Sequence, residues 1–133
     1  MRATARRREG LAHVVEVDGH EILCDEPVAA GGDNSGPSPT RLLTASLASC
    51  TAITIALYAE RKGWDVGNLE VDVDFGGSPR AGEKARFDVA VALPAALSAE
   101  QRERIMVIAG KCPEHRILVA GADVVTTERK PGG

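Results

Sequence analysis

Of the three cysteines in this chain, two sit in settings that suit thiol chemistry. Cys50 lies inside a charge-free run from Leu42 to Ala59, and Cys112 sits in Lys111-Cys112-Pro113, where a helix should begin. A structural cysteine is an inert small hydrophobe, whereas a thiol at a helix start beside a lysine has its thiolate stabilised by backbone N–H groups and positive charge. On that ground Cys112 is the readier nucleophile, with His115 one turn further on. Within a regular helix Cys50 shares a face with Leu43, Ser46, Leu47, Ile53, Thr54 and Leu57. Such apolar surroundings raise a thiol pKa, so Cys50 needs a cation or hydrogen-bond donors from a distant part of the chain to become nucleophilic.

Other clusters are weaker. His20-x-x-x-Cys24 and Cys112-x-x-His115 together hold two histidines and two cysteines at ligand-like spacing, a third possible chemistry. Zinc modules, however, carry short C-x-x-C pairs on knuckles, and His20 and Cys24 fall on one face of an expected strand, so neither a metal nor a cofactor is expected. His13 reads as an ordinary strand residue. Asp25-Glu26-Pro27 reads as solvated turn chemistry, with pairing to N-terminal arginines as the alternative.

The elements that must position these residues are legible in outline. Val15 and Val17, then Ile22 and Cys24, alternate with polar neighbours on either side of Asp18-Gly19, which predicts an N-terminal β-hairpin. The stretch from Ala29 to Pro37 is turn-rich and expected to be irregular. Ser38 as N-cap and Pro39 as first helical residue open a helix that should run to about Lys62 and end at Gly63. Leu69, Val71, Val73 and Phe75, then Phe87, Val89 and Val91, predict a second antiparallel pair with one wet face. Ser98 and Gln101 have capping-box spacing ahead of a helix to about Ala109, closed by Gly110. A short helix from Pro113 and a last strand near Asp123 to Thr127 complete the order ββα, ββ, αα, β, which lacks the strand–helix alternation of a parallel sheet. The expected class is therefore α+β.

Composition narrows the function. At 133 residues the chain suits one domain, residues 1–133, large enough to bury a core without disulfides. Aromatics are 3% of residues, so Val, Ile, Leu and Ala must build that core, and a second subunit would help to complete it. A net charge of -3 and a pI near 5.6 argue against nucleic acid as a partner. The Arg6-Arg7-Arg8 run reads as a solvated, frayed terminus with no apolar stretch behind it, so a secretory signal is not expected and a cytoplasmic, reducing setting is. The 18 uncharged residues from Leu42 to Ala59 meet the length of a short membrane span. Thr44, Ser46, Ser49, Thr51, Thr54 and the many alanines favour instead a helix buried in a domain or dimer, with no membrane partner.

At Gly36-Pro37-Ser38-Pro39, Leu42-Leu43, Ala48-Ser49-Cys50-Thr51-Ala52 and Lys111-Cys112-Pro113-Glu114-His115, the chain resembles the OsmC/Ohr family. Asp25-Glu26-Pro27, Gly31-Gly32 and the stretch from Tyr58 to Trp64 bring it closest to the OsmC-like branch. The resemblance implies an α+β fold in which an antiparallel sheet packs with a long buried helix carrying a cysteine. It also implies an intertwined homodimer that reduces small organic hydroperoxides at the subunit interface. Cys50 would then be the peroxidatic thiol, Cys112 the resolving thiol, Arg8 the activating cation and a dithiol the reductant. Peroxidase members carry a glutamate after the proline that opens the long helix, where this chain has Thr40 and Arg41. That departure favours an alternative, a non-peroxidatic relative binding a thiol, disulfide or hydrophobic small molecule in the same pocket. It also raises the expectation that Arg41 is bound to an anion, to Glu26 or to Asp33, because a cation in a first helical turn opposes the helix dipole.

Overall fold

The computed structural model describes residues 1–131, with five strands among them: β1 (Ala3–Glu9), β2 (Ala12–Val17), β3 (His20–Cys24), β4 (Glu70–Phe75) and β5 (Phe87–Ala92). Three α-helices accompany them, α1 (Pro39–Lys62), α2 (Ala99–Ala109) and α3 (Pro113–Ala120). The class is α+β, as expected. Two compact units are present, one of Met1–Ala48 with Asp72–Ala90, the other of Ser49–Val71 with the chain from Val91 onward.

In the first unit β1, β2 and β3 form an antiparallel sheet in that order. Asp18 and Gly19 close the β2–β3 hairpin with positive φ at both positions, 44° and 86°, the conformation that lets a two-residue turn follow the strand twist. The expected frayed terminus is instead β1, paired with β2 from Ala3↔Val17 to Glu9↔Ala12. Alternation is hidden there because three consecutive arginines occupy an edge strand, where charge protects against further pairing. Register slips between Arg7 and Glu9, so Arg8 is the extra residue of a β-bulge.

The segment after β3 is organised rather than loose. Val28–Ala30 form a 3-10 turn closed by Gly31 in the left-handed region. Asp25 is neither solvated nor paired with arginine. It is 2% exposed, and its carboxylate accepts from the N–H groups of Glu26, Asp33 and Ser35 and from the Ser35 hydroxyl. These donors, the Ser35 hydroxyl foremost, hold its pKa down at about 2.

α1 has the expected bounds. Leu42 N–H bonds to Ser38 C=O at 2.9 Å, and the helix ends on Gly63 at φ 70° with Trp64 N–H reaching back to Ala59 C=O, a Schellman closure. By length and composition α1 is apolar enough to cross a membrane, and 22% of its most apolar window is buried. Leu47, Thr51, Ile55 and Ala59, four residues apart, form its buried stripe.

In the second unit Ile55, Leu97, Ile105 and Ala109 form a core against which Trp64, Leu69, Val71 and Val91 pack. The Ser98–Gln101 capping box opens α2 with both of its reciprocal bonds made. Phe75 and Phe87 of the first unit stack at 4.4 Å, and the strands that carry them, β4 and β5, are hydrogen-bonded neighbours. The strand expected at Asp123 to Thr127 is absent. Val124 and Val125 are 85% and 86% exposed, and this stretch pairs with no strand.

Candidate active site

The start of α3 collects the sulfur atoms of the second unit. Cys112 is the N-cap of α3, in extended backbone conformation, with Pro113 at the first helical position. Its Sγ accepts from the N–H of His115 at 3.3 Å. Pro113 brings no N–H to this end, so the Glu114 and His115 amides are the first donors of the helix.

Cys50 reaches the same helix start from α1. Its thiol lies within reach of the backbone amide and carboxyl of Glu114 and of the Cys112 thiol. None of the three cysteines is joined in a disulfide. Burial is the largest influence on Cys50 and pushes its pKa up to about 11; the Glu114 amide opposes this, while the Glu114 carboxyl and Cys112 add to it. At neutral pH Cys50 in this environment is a thiol, and a cation has to be supplied for it to ionise.

Cys112 differs from the expectation that it is the readier external nucleophile. It is 0% exposed, so its place at the helix start closes it to bulky reagents. Thr51, 1% exposed, faces it with Oγ1 3.7 Å from Cys112 Sγ. Thr51 escapes a sequence reading because a threonine in an alanine-rich helix looks like filler; its place in the stripe of Leu47, Ile55 and Ala59 is the signal that was there to use. Glu114 is missed for another reason, since a first-turn acid at a helix start is ordinary capping chemistry.

The helix face of Cys50 is apolar, as its spacing predicts, but it is not covered in the protomer. Leu43, Ile53 and Leu57 are 42%, 59% and 49% exposed.

Arg8 lies on the β1 bulge, exposed. Its neighbours are engaged, Arg6 with Glu16 at 3.5 Å and Arg7 with the Gly10 carbonyl at 2.9 Å. Among the described residues Arg8 has no hydrogen bond or ion pair. Arg41 is bound to neither Glu26 nor Asp33. Its guanidinium donates to Ser38 Oγ at 3.1 Å, and the Asp33 backbone N–H donates to Asp25. In the first unit Thr40, Arg41, Thr44, Val73, Asp74 and Phe75 are among the residues lining an open cavity of about 530 Å³.

Of the residues considered as zinc ligands, two lie in each unit. His20 and Cys24 stand on β3 in the first unit and Cys112 and His115 at α3 in the second. Among the described residues no three His, Cys, Asp or Glu side chains converge on a metal-sized site. Cys24 is 8% exposed at the end of β3 and packs as a small hydrophobe.

The family model described as OsmC-like protein matches residues 32–128. No curated protein matches the chain in sequence. Among solved structures, an OsmC-like protein of Mycoplasma pneumoniae is similar at 24% identity and a TM-score of 0.74, over 89% of this chain and 86% of that one. An organic hydroperoxide resistance protein OsmC of Legionella pneumophila is similar at 20% identity and a TM-score of 0.65, over 89% of each chain. One from Elizabethkingia anophelis, with thiocyanate bound, matches at 20% identity and a TM-score of 0.65, over 87% of this chain and 86% of that one. At these identities the likeness is one of fold.

Proposed function

The chain belongs to the OsmC-like protein family, and from that membership we propose that it is a cytoplasmic thiol-based redox protein of stress protection that reduces small organic hydroperoxides through Cys50 and Cys112. The observation that carries the reading is the meeting of both thiols at one helix start, with Cys50 the more exposed of the two.

The Cys50 thiolate attacks the distal peroxide oxygen, the O–O bond breaks, and the alkoxide leaves and takes a proton. Cys50 is then a sulfenic acid. Cys112 attacks the Cys50 sulfur as thiolate, displacing hydroxide, which leaves as water, and a Cys50–Cys112 disulfide results. A dithiol reduces that disulfide and is itself oxidised to a disulfide. The Glu114 N–H supports negative charge on the Cys50 side chain in the first step.

Arg8 is the cation proposed to bring Cys50 from a thiol to a thiolate. It is the member of the arginine run without a partner among the described residues, and a β-bulge re-aims it relative to its strand. The protein works as a homodimer and as a single domain. Three large apolar residues exposed on the Cys50 face of α1 support the dimer, since a protomer alone leaves them in water.

Turnover of cumene hydroperoxide with a dithiol reductant tests the reading. Cys50→Ser should abolish turnover, and Arg8→Ala should lower it by about a hundredfold, the scale of a lost electrostatic contact to a reacting group. Wild-type turnover no faster than a free thiol would overturn it.

Arg41 and the cavity that it lines favour a second reading, a non-peroxidatic binding protein for a thiol, disulfide or hydrophobic small molecule. Under that reading the hydroperoxide reacts slowly and Arg41→Ala weakens ligand binding without changing peroxide reactivity.

A further inference from the structure

Thr51 places a hydroxyl in the buried stripe of α1. The positions above and below Thr51 are Leu47 and Ile55, 3% and 0% exposed, where an apolar residue would pack without a polar group to satisfy. The Thr51 hydroxyl lies at hydrogen-bonding distance from the Cys112 sulfur, and the His115 N–H reaches the same atom. With Cys112 protonated, either the hydroxyl or the thiol is the donor. With Cys112 ionised only the hydroxyl is, so a thiolate there meets two donors, one from α1 and one from the start of α3. The titratable groups near it are Cys50 on α1 and Lys111, Glu114 and His115 beside it in the chain.

Thiol–disulfide exchange depends on which sulfur is accessible and which leaves as the better-stabilised thiolate. Cys112 is fully buried and Cys50 is not. Resting on the cysteine-pair reading, we propose that Thr51 is a positioning residue that makes Cys112 the leaving thiolate when the Cys50–Cys112 disulfide is reduced, so that the reductant attacks Cys50. One thiolate of an external dithiol forms a bond to Cys50 Sγ as the Cys50–Cys112 bond breaks, and Cys112 departs with the electron pair into the donors from Thr51 and His115. The second thiol of the reductant then closes on the first, releasing Cys50 as thiolate and leaving the reductant as a disulfide.

The test uses the full chain and its Thr51→Val and Thr51→Ser variants, with the disulfide made by diamide so that no peroxide step is involved. Valine keeps the shape of threonine without its hydroxyl, and serine keeps the hydroxyl. Reduction by dithiothreitol should slow about tenfold in Thr51→Val and return to within about threefold of wild type in Thr51→Ser, the scale of one hydrogen bond to a charged group. With 2-mercaptoethanol, peptide mass spectrometry should find the mixed disulfide on Cys50. An unchanged reduction rate in a folded Thr51→Val protein, or a mixed disulfide on Cys112, overturns the proposal. If diamide forms the disulfide and hydroperoxide does not, the peroxidase reading fails and the Thr51 result stands; if diamide forms no Cys50–Cys112 bond, both fail.

Discussion

The backbone amide of Glu114 lies within reach of the Cys50 thiol and favours its ionisation, while the next amide, that of His115, donates to Cys112 at 3.3 Å. One helix start thus serves two sulfur atoms from distant parts of the chain. Their reactivities differ because one is fully buried and capped and the other is closer to solvent, with burial opposing its ionisation.

The raised pKa of Cys50 has a consequence for stability. A thiol whose folded pKa of about 11 exceeds its ordinary value binds more protons in the folded than in the unfolded state between those two values. Its contribution is therefore complete below the unfolded pKa and is lost as pH rises towards 11. Chemical denaturation from pH 8 to pH 11 should show wild type losing stability more steeply than Cys50→Ser; parallel curves would contradict the shift.

Asp25 gives the opposite sign. Its carboxyl is held at about 2, so its contribution is present above the ordinary carboxylate pKa and is lost as pH falls towards 2. Asp25→Asn should be less stable than wild type at pH 7, with the difference shrinking through the acid range and gone near pH 2. A pH-independent difference in urea midpoints would contradict this.

Gly36 is in contact with the preceding strand. A side chain there would run into the Leu23 carbonyl, which is backbone and cannot swing aside. Gly36→Ala should cost about 1–3 kcal/mol in equilibrium unfolding, the range for overpacking. Gly10→Ala meets no atom and is the control; its cost should be only that of the positive φ.

The apolar face around Cys50 predicts self-association. Ile53→Asp or Leu57→Asp, at exposed positions, should leave a protomer folded but shift sedimentation from dimer to monomer. Unchanged sedimentation would show that this face is not where copies meet.

Much of the secondary structure was legible because local signals agreed. Ser38-Pro39 and Gly63 bracket α1, Ser98 and Gln101 cap α2, and Asp18-Gly19 turns the first hairpin. β1 was hidden because charges on an edge strand look like a tail, and the strand expected near Val124 failed because alternation does not supply a pairing edge. Asp25 was misread as a solvated acid, since the amides that bury it come from a loop up to ten residues away. For the site, residue type marked Cys50 and Cys112, but the contacts of Glu114 and Thr51 arise from tertiary approach of α1 to the start of α3. No spacing within either segment encodes that approach.

The most direct test treats fully reduced protein with cumene hydroperoxide in a stopped-flow instrument, with peptide mass spectrometry at each time point and Cys50→Ser and Cys112→Ser alongside. Sulfenic acid should appear first at Cys50, persist in Cys112→Ser, and convert in wild type to a Cys50–Cys112 disulfide. Oxidation as slow as that of a free thiol, or first oxidation at Cys112, would contradict the proposed chemistry.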